Sequence, residues 1–144
     1  MTGLVLLCVA VSLTLLVGLA HRRRDGRLRT AATTASPEQD AGLRAVLDEL
    51  GEIPGERATL IQFSSAFCAP CLATRRILGE VADMVDGVTH VEVDAEQHLD
   101  LVRRLGIVKT PTTLVLDAGT VEVKRSSGQP RKADVLAALG HALP

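Results

Sequence analysis

The residue pattern predicts an α/β fold, a central mixed sheet of four or five strands flanked by helices, behind an N-terminal transmembrane helix. Three observations carry that expectation. Short apolar runs at 58–64, 88–94 and 112–116 alternate with segments whose apolar residues recur at helical spacing. A pair of cysteines, Cys68-Ala69-Pro70-Cys71, stands where the first firm strand gives way to a helix. An uncharged apolar run over residues 3–20 opens the chain. Strands joined by helices and followed by a hairpin make a mixed sheet covered on both faces.

Three regions follow: 1–20 as a transmembrane anchor or signal sequence, 21–36 as a basic juxtamembrane linker, and 37–144 as the folded domain. Residues 3–20 would span about 27 Å as a helix, the short end of a membrane crossing. His21-Arg22-Arg23-Arg24 follows at once, with Arg27 and Arg29 behind. That flank favours an uncleaved single-pass anchor with the domain in the cytoplasm, since basic flanks stay inside. A cleaved signal peptide with an extracytoplasmic or secreted domain is the alternative; Gly18-Leu19-Ala20 offers a small-x-small site, but no Lys or Arg precedes the apolar run. Cys8 reads as a lipid-facing apolar residue. The net charge of −1 hides an asymmetry of +4 over residues 1–36 and −5 over 37–144. A mildly acidic domain carries no nucleic-acid footprint.

Ser36-Pro37-Glu38-Gln39 reads as a helix start, with Ser36 as cap, Pro37 at the first position and Gln39 closing a capping box. Leu43, Val46, Leu47 and Leu50 form that helix's apolar face, and Gly51 with Pro54-Gly55 stops it. A strand before this helix has one weak candidate, Arg27-Leu28-Arg29. Residues 58–64 are the first firm strand. The next helix runs from the cysteines to about Asp86, with Ile77, Leu78, Val81, Met84 and Val85 inward and Thr74, Arg75 and Arg76 facing elsewhere; Gly87 ends it. A strand at 88–94 has Val91 and Val93 on one face. A short helix at 97–105 closes at Gly106. Strands at 112–116 and 120–124 form a hairpin around Asp117-Ala118-Gly119, and a last helix at 129–142 turns Val135, Leu136 and Leu139 inward.

Two cysteines three positions apart at a helix start read as a redox pair. The attacking species in thiol–disulfide exchange is the thiolate, and a helix N-terminus, with its partial positive charge, favours it. Pro70 suits the first turn, where its missing N–H costs nothing. A zinc site would want two more ligands at fixed spacing, and His21, His90, His98 and His141 stand singly; no metal is expected. Forty residues on, Lys109-Thr110-Pro111-Thr112 opens a strand.

Together these motifs resemble the thioredoxin family over roughly residues 38–142. The resemblance implies a thioredoxin-like fold with strand order 88–94, 58–64, 112–116, 120–124, and a cis Thr110–Pro111 bond whose loop faces the cysteines. It implies that Cys68 attacks, Cys71 resolves, and Phe67, Ala69, Pro70, Thr110, Pro111 and Thr112 surround them and meet substrate. The sequence departs from the family at three places: Phe67 where tryptophan is usual, Ala69 where glycine is usual, and Gln62 where thioredoxin carries a buried acid. An amide does not titrate near neutral pH. His90 on the neighbouring strand is the candidate to support proton transfer, paired with Gln62 behind Cys71.

The expected activity is that of a membrane-anchored protein disulfide oxidoreductase, most simply a reductase. Its partners are protein disulfides, a separate electron-donating reductase, and the membrane through residues 3–20. No cofactor beyond the Cys68–Cys71 disulfide is expected, since no G-x-G-x-x-G follows a strand. The alternatives are an exported oxidase or isomerase, and a non-catalytic module that holds a partner or a metal through its thiols.

Overall fold

The structure is a computed structural model that describes residues 2–24, 28–30 and 37–143, with side chains over 5–20, 28 and 42–143. Ser36, the Gln39 side chain and most of the basic stretch 21–36 lie outside the described residues or side chains.

The elements run α1 (Thr2–Arg24), β1 (Arg29–Thr30), α2 (Pro37–Leu50), β2 (Ala58–Ser64), α3 (Ala69–Met84), β3 (Val88–Asp94), α4 (Leu99–Arg104), β4 (Thr112–Asp117), β5 (Glu122–Ser127) and α5 (Lys132–Ala142). The sheet order is β1-β5-β4-β2-β3. β2 is central, parallel to β3 and antiparallel to β4, and every one of its residues is buried. That explains its composition: a strand covered on both faces has no reason to alternate apolar with polar.

The two faces carry separate cores. Ile61, Phe63, Val91, Val93, Leu114 and Leu116 pack against Leu43, Val46 and Leu47 of α2 and Leu101 of α4. Leu60, Val88 and Val115 pack against Leu78 and Val81 of α3 and Val135 and Leu139 of α5. Alternate residues of one strand feed opposite layers, as the period of two requires.

The expected four long strands are present, and β1 adds a two-residue fifth, Arg29↔Arg125 and Thr30↔Lys124. It overlaps the weak candidate at 27–29 in Arg29 and extends one residue past it. The hairpin strand sits later than expected, at 122–127 rather than 120–124. Asp117 explains the shift. Its carboxylate accepts from the N–H groups of Gly119 and Val121, and Thr120 adopts φ 64°, so the loop extends to Val121 before pairing starts. Within α3, Thr74 is buried with its hydroxyl donating to the Pro70 carbonyl, and Met84 is 61% exposed, the reverse of the expected facing. In α5 the inward residues are Val135, Ala138, Leu139 and Ala142, with Leu136 at the margin.

The N-terminal expectation is corrected. Residues 2–24 are helical, yet among the described residues no helix is long and apolar enough to cross a membrane. That finding overturns the single-pass membrane location with a cytoplasmic domain expected from residues 3–20.

One glycine is fixed by a close backbone approach. A Cβ at Gly55 would collide with the Ala58 carbonyl oxygen and lie 2.7 Å from that of Gly87. Neither backbone group can yield: Gly87 O accepts from Arg57 N and Ala58 N, and Ala58 is held in β2 between β3 and β4. Gly55→Ala is therefore expected to cost about 1–3 kcal/mol, the range of overpacking. Leu47→Ala, in the α2 layer, should cost about 2–5 kcal/mol. Urea unfolding of the two variants checks both.

Candidate active site

The site grows from the junction of β2 and α3. β2 ends at Ser64, and Ser65, Ala66 and Phe67 carry the chain over the sheet edge. Phe67 holds φ 58°, in the left-handed region that a bulky side chain seldom adopts, at a cost of about 1–2 kcal/mol. Its ring stands in solvent, 107% exposed, directly before Cys68. Cys68 is the N-cap of α3 with extended backbone, and Ala69 and Pro70 make the first turn. Cys71 N donates to Cys68 O at 3.0 Å, and the two cysteines are joined as a disulfide with Cα atoms 5.2 Å apart. Cys68 is half-buried; Cys71 is 3% exposed. The sulfur at the helix N-terminus is thus the one a partner can reach.

The second loop closes over the same edge. Thr110–Pro111 is cis, as the resemblance implied. Pro111 is buried and its carbonyl accepts from Gly128 N, while Thr112 Oγ1 donates to Lys109 O. The Ser65 and Thr110 hydroxyls are 2.8 Å apart, tying the cysteine loop to the proline loop. Nothing in the residue pattern marks Ser65 for this role.

Beneath the disulfide, Gln62 is fully buried, and its amide Nε2 donates to the Cys71 carbonyl at 2.9 Å. The expected Gln62–His90 pair does not form. Both residues lie on the α3 side of the sheet, but His90 registers with Leu60, and Gln62 registers with Glu92. Gln62 Oε1 and His90 Nε2 are both buried without a hydrogen-bond partner. Burial pushes the His90 imidazole below its ordinary value, Glu92 pulls it partly back, and Arg75 lowers it further.

Glu92 went unread in the sequence. It accepts from Ser64 Oγ at 2.6 Å and from Arg75 Nη2 at 2.8 Å, with Arg75 Nε 2.6 Å from its other oxygen. Burial alone would push this carboxyl up, but Arg75 and Ser64 hold it below the ordinary range. A cleft of about 460 Å³ is lined by Phe67, Cys68, Cys71, Leu72, Arg75 and Glu92, among others. The available signal was alternation: with Val91 and Val93 on one face of β3, Glu92 must share the other with His90. Which β2 residue it would meet is not written in that alternation.

Residues 48–141 match the thioredoxin family model. The chain belongs to the thioredoxin family. It is 30% identical over 91 residues to a thioredoxin of Mycoplasma genitalium, covering 62% of this chain and 88% of that one. It is 30% identical over 92 residues to a thioredoxin of Alicyclobacillus acidocaldarius, covering 63% and 87%. A thioredoxin from Nicotiana alata shares the fold with a TM-score of 0.57 at 18% identity, over 72% of this chain and 87% of that one. As a family member carrying Cys68-Ala69-Pro70-Cys71 closed as a disulfide, this is a thioredoxin-like thiol–disulfide redox protein.

The His90 environment has a consequence for stability. A depressed folded pKa means the unfolded chain takes the proton first as pH falls, so stability is full above about 6.5 and declines through the folded value. Glu92 acts in the same sense from about 4.5 downward. The urea midpoint should therefore fall on acidification below pH 6.5, and His90→Gln should flatten the upper part of that decline. An unchanged slope in the variant would show that His90 is not its source.

Proposed function

We propose that the protein reduces protein disulfides, with Cys68 as the attacking thiol and Cys71 as the resolving one. The observation that carries this reading is the contrast between the two sulfurs. Cys68 caps α3 within a partner's reach, and Cys71 is buried one turn along, bonded to it. The α3 N-terminus favours the Cys68 thiolate, because unpaired backbone N–H groups and the helix dipole stabilise negative charge there. Attack on a partner disulfide forms a Cys68–partner bond and releases one partner thiolate. Cys71 then attacks Cys68 Sγ, closes the Cys68–Cys71 bond and releases the second. The exposed Phe67 ring gives an apolar lip beside Cys68. In the loop at Thr110, Pro111 and Thr112, Thr110 supplies the backbone that an extended substrate segment can pair with, as in strand addition, since Pro111 has no N–H and Thr112 is already paired in the sheet. Ala69 and Pro70 fix the turn between the cysteines. Regeneration draws two electrons from a separate reductase.

A second reading is supported by Gln62. With no acid at that position, the balance between thiolate and disulfide can shift toward oxidation, making the protein an oxidase or isomerase. The reduction potential separates the two, a low value favouring the reductase and one near about −120 to −180 mV the oxidase or isomerase.

Cys71→Ser should accumulate a mixed disulfide through Cys68 that is visible on non-reducing gels and lost with thiol reductant. Cys68→Ser should abolish disulfide exchange altogether. Retention of full exchange by Cys68→Ser would reverse the assignment.

A further inference from the structure

Resting on the redox reading above, we propose that Glu92 accepts the proton of Cys71 when the mixed disulfide is resolved. Three observations carry it. Gln62, beneath Cys71, is an amide whose donor is already committed to the Cys71 carbonyl, so it cannot take a proton. Glu92 sits one strand over in register with Gln62, on the same α3-facing side of the sheet. It also lines the cleft that holds both cysteines, where among the described residues there is no other carboxylate and no imidazole.

The surroundings of Glu92 suit a relay. From β2, Ser64 donates to it; from α3, Arg75 pairs with it; along β3, the half-buried His90 is its neighbour on the same face; the same cleft is lined by Cys68 and Cys71. Arg75 and Ser64 keep the carboxylate ionised and fixed in place. A proton taken from a thiol does not rest on so acidic a group and passes onward.

The step balances. In the mixed disulfide, Cys68 Sγ is bonded to the partner's sulfur. The Cys71 thiol gives its proton to Glu92, and its thiolate forms the bond to Cys68 Sγ. The Cys68–partner bond breaks, and the partner's sulfur leaves with the electron pair and takes the proton from Glu92. The first partner sulfur, released earlier, took its proton from water. Two electrons have moved from the protein dithiol to the partner disulfide.

The test is a single-turnover reaction of the reduced full-length protein with an aromatic disulfide that releases a coloured thiolate. Attack by Cys68 gives a first phase, and closure by Cys71 gives a second. Glu92→Gln should leave the first phase within about twofold and slow the second about tenfold or more at pH 7. The deficit should narrow as pH rises, because hydroxide then competes for the thiol proton. Glu92→Asp should recover part of the rate. A second phase in Glu92→Gln that is unchanged, or faster because a repelling charge has gone, overturns the proposal. Slowing of both phases at every pH, the mark of structural damage, also overturns it. So does a loss of the second phase in His90→Gln with none in Glu92→Gln, which moves the role to His90. A wild-type protein with neither phase overturns the redox reading itself.

Discussion

The seating of the first turn of α3 on β2 governs this molecule. β2 is buried along its whole length and braced by β3 and β4, so its last residues are among the most constrained in the chain. The Gln62 amide reaches up from that strand to the Cys71 carbonyl and fixes the helix start from below. A hydrogen bond between fully buried groups is expensive to leave unmade, which makes it a positional constraint more than a source of net stability. The cysteines inherit their places from it: one sulfur half-exposed at the helix N-terminus, the other sheltered behind.

The same contact explains why the chemistry has to be distributed. In a site where position 62 is occupied by an amide, structural support and proton handling cannot reside in one side chain. Gln62 supplies support alone. On β3, the strand next to Gln62, His90 and Glu92 share the α3-facing side with different fates. His90 is pressed toward neutrality by burial. Glu92 is held ionised by Arg75 and Ser64 and opens onto the cleft with the disulfide.

Much of the fold is legible in the sequence because it rests on short-range rules. The apolar runs at 58–64 and 88–94 bound their strands correctly, and the cysteine pair and Thr110-Pro111-Thr112 fall at element junctions as expected. The misplacements have local physical causes. β5 carries Lys124, Arg125 and Ser126, and its Arg125 guanidinium is satisfied by Glu122 and the Leu105 carbonyl, so the strand lacks the apolar alternation that would announce it. Thr74 reads as a surface residue until its hydroxyl is seen bonded to the Pro70 carbonyl. The apolar N-terminal run reads as a membrane span by hydropathy, yet among the described residues no helix is long and apolar enough to cross a membrane.

The sequence by itself determined the redox pair, the helix that presents it and the family to which both belong, because these depend on residue types at fixed spacing along one stretch of chain. Only the tertiary structure decided which polar groups meet beneath and beside the disulfide. The register between β2 and β3 puts Glu92, not His90, beside Gln62, and the packing of α3 brings Arg75 onto that carboxylate. Register and packing are set by the whole of both cores at once. A one-residue slip would turn every side chain of β3 to the other face, and nothing within β3 alone records which slip is forbidden.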